Sequence, residues 1–234
     1  MRKIKALGLA VGATLALSAA LASAAQAEPG LLTAEGFPAI VTGQQQPGGV
    51  TFDIGAMKTV TCSSRLDATL EAPANPVTFR PTYANCVAQP EAMPTTITLN
   101  GCDYRFGFGL PGTTGAGETT GTLRAAIDCP DGQIEIHVFE NAMAHAANEP
   151  LCTYDIAPQG PVEAGIYHNT EGMPDHVTAT VAATFTADST LEPMLCGGNM
   201  MNGHLPITLT GTYTMRAFQD VNGMEGNSGD LDVG

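Results

Sequence analysis

The amino-acid sequence predicts an all-β fold, either an antiparallel β-sandwich or a partly closed barrel of about ten short strands that disulfides staple together. Three observations predict it. Apolar and polar residues alternate with a period of two over long runs, and threonine and the β-branched aliphatic residues dominate these runs. Turn-forming sequences such as Pro47-Gly48-Gly49 and Pro111-Gly112 separate them. This pattern does not fit the alternating strands and helices of a parallel sheet.

The clearest strand lies at 207–217, where apolar residues alternate with Thr208, Thr210, Thr212 and Thr214. Such alternation places one set of side chains on a core face and the other in water. The runs 176–187 and 133–139 show the same pattern, and the alanine-rich segment 140–148 is a candidate helix. Shorter β-like runs occupy 50–54, 59–62, 66–70, 77–80, 95–99, 102–108, 119–129 and 152–156.

The N-terminus has the pattern of a signal peptide. Basic residues at positions 2, 3 and 5 precede an apolar run over 6–20, and Ala25-Gln26-Ala27 fits the small-x-small cleavage rule. We therefore expect a secreted, extracellular protein. The predicted organisation is a signal peptide at 1–27, a flexible N-terminal segment at 28–48, a β-sandwich domain at 49–219 and a disordered acidic tail at 220–234, which is glycine-rich and nearly free of aliphatic residues.

The charge balance limits the kinds of partner that the chain can bind. The chain carries 23 acidic and nine basic residues, and three of the basic ones lie in the predicted signal peptide. A negative field of this size repels phosphate backbones and anionic lipid surfaces, so we expect no nucleic-acid binding. After the signal peptide no apolar run reaches the ~20 residues of a membrane span, and no cysteine stands at the cleavage site, so no membrane anchor is expected. The expected partner is an unknown extracellular ligand or protein.

All six cysteines follow the predicted cleavage site, and an even number in an exported chain indicates disulfides. If 102–108 and 119–129 form a hairpin, Cys102 comes close to Cys129. If 133–139 pairs with the run that Cys152 begins, Cys152 lies several strand residues from Cys129, beyond the reach of a disulfide. The predicted pairs are Cys62–Cys86, Cys102–Cys129 and Cys152–Cys196.

Four of the five histidines occur in two copies of the spacing His-x-x-Glu-x4-His. Imidazole and carboxylate together suit zinc, and imidazole also suits copper. Against a local site, Pro174 excludes a helix over the second copy, and solvent-facing histidines at strand ends are the simpler explanation of the pattern. The candidate metal ligands are His137, Glu140 and His145 in the first copy and His168, Glu171 and His176 in the second.

A second candidate set combines thioethers with an imidazole, which are ligands that suit Cu(I). Methionine is also an ordinary gap filler in cores and loops, and the cysteine of this set is expected to lie in a disulfide. Both interpretations stay open. The set is Met194, Cys196, Met200, Met201 and His204.

Catalytic signatures are absent from the sequence. It contains no Gly-x-Ser-x-Gly elbow, no His-Glu-x-x-His and no phosphate-binding loop, and fully paired cysteines leave no thiolate nucleophile. The absence of tryptophan removes the preferred stacking platform for sugars, so a hydrolase of extracellular polymers is the weaker alternative. We assign no catalytic residue. The leading hypothesis is a secreted, non-enzymatic binding or structural module without a cofactor, and the rival is an extracellular copper or zinc protein.

Several motifs carry a resemblance. Tyr83-x-x-Cys86, Asn100-Gly101-Cys102-x-Tyr104 and Asp128-Cys129-Pro130-x-Gly132, together with the alanine-rich signal, resemble exported proteins of high-GC soil bacteria that have no assigned function. The resemblance covers residues 50–218. Because its motifs consist of disulfide and turn residues, it implies a shared β fold and no catalytic activity.

Overall fold

The structure, a computed structural model, describes residues 30–55, 58–113, 119–171, 175–189, 204–221 and 224–234. The predicted signal peptide lies outside these residues. Sixteen strands and one short helix are described: β1 Leu32–Ala34, β2 Ala39–Gln45, β3 Val50–Ile54, β4 Lys58–Leu70, β5 Val77–Gln89, β6 Met93–Thr98, β7 Asp103–Phe108, β8 Gly112–Thr113, β9 Thr119–Asp128, β10 Ile134–Val138, α1 Ala142–Ala147, β11 Cys152–Ile156, β12 Gln159–Thr170, β13 His176–Ser189, β14 His204–Val221, β15 Met224–Gly229 and β16 Leu231–Val233.

The strands form a closed ring in which every pairing is antiparallel. Near one end of the molecule the circuit runs β4–β5–β7–β9–β12–β13–β14–β2 and returns to β4. Near the other end β6, β10 and β11 take the places of β7, β9 and β12, and β3 takes the place of β2. The predicted all-β antiparallel fold is therefore confirmed, and of its two forms the structure adopts the barrel.

Alternating burial along the strands fills the interior. In β13 every second residue from Val177 to Ala187 is at most 3% exposed, whereas the threonines between them face outwards. Its partner β14 shows the same alternation from Leu205 to Ala217, except at Gly211, which is half-buried. The period-two pattern of the sequence thus predicts which side chains of both strands face the interior and which face outwards. The candidate helix is confirmed as α1, which the side chain of Asn141 caps at its N-terminus.

Two disulfides join directly opposite residues of neighbouring strands, with Cα atoms 4.1 Å apart in each. Cys102–Cys129 lies just beyond the last pair of the β7–β9 ladder, where the chain passes into β6 and β10. Cys62–Cys86 lies at a bulge between β4 and β5, where the register shifts. Both predicted pairs are confirmed. The third prediction, Cys152–Cys196, involves Cys196, which lies outside the described residues.

The structure differs from the sequence-based prediction at the N-terminal segment. Instead of a flexible segment over 28–48, β2 is inserted between β14 and β4. Ala39 and Val41 are at most 1% exposed there, because their side chains fill the interior at the point where the ring closes, whereas Ile40 between them is half-buried. The apolar run is short and is followed by glycine and glutamines, so the sequence alone does not indicate this strand.

The tail also differs from its prediction as a disordered segment over 220–234. β15 pairs with β14, and β16 pairs with β1. Leu231 and Val233 of β16 and Leu32 of β1 are at most 1% exposed, so this two-stranded sheet packs on the core. Two apolar residues with a spacing of two are enough to anchor the strand. We call the barrel end where β2 begins and β14 ends the terminal end, and the opposite end, which carries α1, the helix end.

A group of tyrosines contributes hydroxyl groups to the interior. The hydroxyl of Tyr83 donates to that of Tyr104 over 2.9 Å, and the Tyr213 hydroxyl lies 3.0 Å from Ser64 Oγ. The ring of Phe52 packs edge-on against Tyr83 at 5.3 Å. Burial raises the pKa of Tyr213 to about 12, and it raises the pKa of both Tyr83 and Tyr104 as well. The interior therefore favours the neutral phenols.

The buried tyrosines should make the folded protein less stable at alkaline pH. Because burial raises the pKa of Tyr213 in the folded state, its stabilising contribution is complete below the unfolded pKa of about 10 and is lost as pH rises through about 12. Urea unfolding at pH values across this window should show a steep fall in the free energy of unfolding. Y213F should reduce that slope by about 1.4 kcal/mol per pH unit. Equal slopes in the two proteins would contradict a buried neutral Tyr213.

Removing either disulfide should destabilise the protein by a similar amount. They close loops with sequence separations of 24 and 27 residues, so loop entropy favours them almost equally. Replacing either pair with alanines should lower the free energy of unfolding by about 2–4 kcal/mol, with a difference of under about 1 kcal/mol between the two variants in urea titrations. A much larger loss for Cys62–Cys86 would mean that its position at the bulge, rather than loop entropy, determines its contribution.

Candidate functional site

The structure brings only some residues of the first His-x-x-Glu-x4-His copy close together. His137 of β10 and His145 of α1 flank the buried ring of Phe139, with centroids 6.3 and 4.8 Å from it. His137 Nε2 lies 3.5 Å from the carboxylate of Glu135. Glu140 is exposed. The two histidines of this copy therefore contact an aromatic ring from either side.

The second spacing lies at the terminal end. His168 of β12 pairs with Thr178, and Thr170 pairs with His176 of β13, so the two histidines are diagonal neighbours on one face. His168 also lies level with Thr120 of β9, whereas His137 follows further along the same path of β9 and β10. His168 and His176 therefore lie at the terminal end, whereas His137 and His145 lie at the helix end.

The four histidines therefore do not converge. Within the ranges that the structure describes, no group of three or more histidine, cysteine or acidic residues is placed to hold a metal ion. Glu171, the carboxylate of the second copy, is exposed and belongs to no such group. Of the thioether set, His204 begins β14 and contacts Asp188, whereas Met194, Cys196, Met200 and Met201 lie outside the described residues. The copper or zinc alternative stays a prediction.

The register creates a carboxylate row that the sequence did not reveal. Glu135 pairs with Asp155, Asp155 with Asp188, and Asp188 with His204 across four strands. Partial burial, followed by the neighbouring charge of Glu135, raises the pKa of Asp155. The row shows that like charges are held close together at the helix end.

A groove on the outer face of β7 and β9 is the stronger candidate for a binding site. Arg105 lies opposite Ala126, and Arg124 lies opposite Gly107, so the two guanidinium groups belong to diagonal positions of one ladder. Because the residue opposite each arginine is small, the floor between them is recessed. We call this cavity of about 460 Å³ the arginine groove.

Three prolines form apolar parts of the groove lining, namely Pro76, Pro158 and Pro161. The loop that carries Pro76 is fixed by Asn75, whose Nδ2 donates to Gly30 O and Phe108 O and whose Oδ1 accepts from Phe108 N. The other two prolines flank Gln159, whose side chain bonds to the backbone of Thr186 through both its donor and its acceptor. The groove is therefore held in shape by hydrogen bonds from two amides.

Gly160 is required by the close approach of β12 to the groove floor. Its φ is +113°, and a Cβ on it would lie 2.8 Å from Ala126 Cα. Only glycine accepts both this backbone conformation and this contact at low cost. A side chain here would push β12 away from β9.

Both arginines of the groove have donors to spare. Arg105 lies 3.6 Å from Asp128, and Arg124 lies 3.2 Å from Glu163, and all four side chains are between 45% and 73% exposed. Such exposed ion pairs contribute little to stability, and an arginine in one of them can readily exchange its carboxylate for another anion. A guanidinium has five N–H donors, so each arginine can still bind an anion in a bidentate manner.

A second cavity, of about 430 Å³, is lined by acidic residues. Asp67, Asp103 and Asp220 contribute to it together with Arg80, which pairs with Asp103. Asp67 is paired with Arg65. Two of the three carboxylates of this cavity are therefore paired with arginines.

Comparisons with known protein families, with curated proteins and with solved structures give no match. None of the helices among the described residues is long and apolar enough to cross a membrane. The two disulfides fit an oxidising, extracellular setting. Any assignment of function therefore rests on the chemistry of the surfaces.

Proposed function

We propose that this protein is a secreted, non-enzymatic binding module that takes up a small organic anion with an apolar body in the arginine groove. The observation that carries the proposal is the pairing of Arg105 and Arg124 across a recessed, proline-lined floor. The guanidinium groups would hold the acidic group of the ligand, and the floor would cover its apolar part.

The scarcity of positive charge supports an anion as the ligand. The chain has a net charge of −14, so its average field repels anions. Like Lys58, Arg65 and Arg80, both arginines of the groove pair with a carboxylate. The groove nevertheless places two guanidinium groups at diagonal positions beside an apolar floor, and their spare donors attract an anion at short range.

Rigidity of the groove supports binding rather than a passive surface. Arg105 and Arg124 stand on central strands of a closed sheet, and the loops beside them are fixed by Asn75 and Gln159. A preformed site loses little conformational entropy when a ligand enters. The groove can therefore bind with few contacts.

The test uses two fluorescent probes that share their rings and differ in charge. Anilinonaphthalene sulfonate is an anion, and phenylnaphthylamine is its neutral counterpart. We expect the native protein to bind the sulfonate at least about tenfold more tightly, which is about 1.4 kcal/mol. R105A and R124A should each weaken sulfonate binding by about tenfold, because each removes a charge-assisted hydrogen bond.

Matched variants separate the groove from general effects. R216A removes an exposed arginine on β14, away from the groove, and should leave binding unchanged. A126L fills the floor, keeps both arginines and should weaken binding of both probes. Equal affinity for the two probes, or equal effects of R216A and R124A with the fold intact by circular dichroism, would refute the proposal.

A further inference from the structure

Besides its two arginines, the arginine groove has a carboxylate in its lining. Along the outer face of β9 the order is Arg124, Ala126 and Asp128, because alternate residues of a strand point to the same face. Arg105 stands opposite Ala126, so it is the diagonal neighbour of both Arg124 and Asp128. The floor at Ala126 is therefore bordered by two guanidinium groups and one carboxylate.

The carboxylate of Asp128 occupies a position that is unfavourable without a cation beside it. Asp128 stands directly opposite Asp103 in the β7–β9 ladder, and like charges at directly opposite positions are destabilising. Arg80 compensates Asp103 at 3.4 Å. Arg105 compensates Asp128 at 3.6 Å. Among the described residues, each of the two carboxylates thus has its own arginine.

A ligand acid that binds Arg105 changes this charge balance. The side chains of Arg105 and Asp128 are 45% and 56% exposed, so their ion pair opens at little cost and the acid takes over the guanidinium donors. Asp128 then faces Asp103 without its arginine. A ligand that also brings a cationic group to Asp128 offsets this repulsion, whereas a simple anion does not.

We propose that the ligand of the arginine groove is a zwitterion, namely an α-amino acid with an apolar side chain. Its carboxylate lies between Arg105 and Arg124, and its ammonium group contacts Asp128. Its side chain covers Ala126 and the groove prolines. In an α-amino acid the two charged groups are attached to one carbon atom, which suits Arg105 and Asp128 as diagonal neighbours. The inference rests on the proposed function and specifies the class of acid that the groove holds.

The net charge of the protein favours such a ligand over a simple anion. At −14, the average field of the chain repels anions at a distance. An α-amino acid is neutral overall at pH 7, because its carboxyl group has lost its proton there and its amino group has kept one. It therefore reaches the groove without long-range repulsion, and its acidic group meets the guanidinium groups only at short range.

The experiment compares three ligands that share a phenyl ring and differ in charge. Phenylalanine is the zwitterion, phenylpropionate lacks the ammonium group, and phenethylamine lacks the carboxylate. Each is titrated against the protein loaded with anilinonaphthalene sulfonate, and displacement of the probe gives the affinity. We expect phenylalanine to bind about tenfold more tightly than phenylpropionate and phenethylamine to bind most weakly, because the two guanidinium groups hold the carboxylate.

The variant D128N should act in opposite directions on the two acids. It should weaken phenylalanine binding by about tenfold, because the ammonium group loses its carboxylate. It should strengthen binding of phenylpropionate and of the sulfonate several-fold, because Arg105 loses its internal competitor and the repulsion from Asp103 disappears. The matched control is E91Q, which removes an exposed carboxylate that pairs with Lys58 in the turn between β5 and β6 and should change neither affinity.

The outcomes separate this assignment from the proposed function. If phenylpropionate binds as tightly as phenylalanine, or if D128N weakens both acids equally, the amino-acid assignment is overturned, while the proposed function stands as long as R105A weakens sulfonate binding. Absence of sulfonate binding to the native protein contradicts the proposed function and overturns the assignment with it.

Discussion

The double pairing of β14 is the constraint on which the rest of the structure depends. One edge of this strand pairs with β13, and the other pairs with β2 and β3, so the last long strand joins the first and the ring closes. Closure fixes the register of every ladder and removes the open edges of the ring. The register in turn places Arg124 opposite Gly107 and Arg105 opposite Ala126, from which the arginine groove follows.

We place ligand binding on the outside of the barrel because side chains fill its described interior. Aromatic and aliphatic side chains pack there, and the hydroxyls of Tyr83, Tyr104 and Tyr213 find partners within the core. The arginine groove lies on the outer face of β7 and β9, where the small residues opposite each arginine leave a recess.

The sequence predicted the strands in which the period-two pattern is unbroken, and both described disulfides. It missed β12, because register shifts between Gln159 and Val162 and between Glu163 and Gly165 break the alternation. It missed β2 because a short apolar run beside glycine does not reveal that it closes a ring. The arginine groove was also missed, since Arg105 and Arg124 meet only through the β7–β9 register and no local motif marks them.

Closure of the ring is tested most directly by cross-strand contacts in the folded protein in solution. The account predicts nuclear Overhauser contacts between Thr42 and Arg216 and between Phe52 and Leu209, with slow amide exchange throughout β2. Absence of both contacts, together with rapid exchange over residues 39–45, would show that the first and last long strands do not pair. The ring would then be open, and the register that builds the arginine groove would lose its basis.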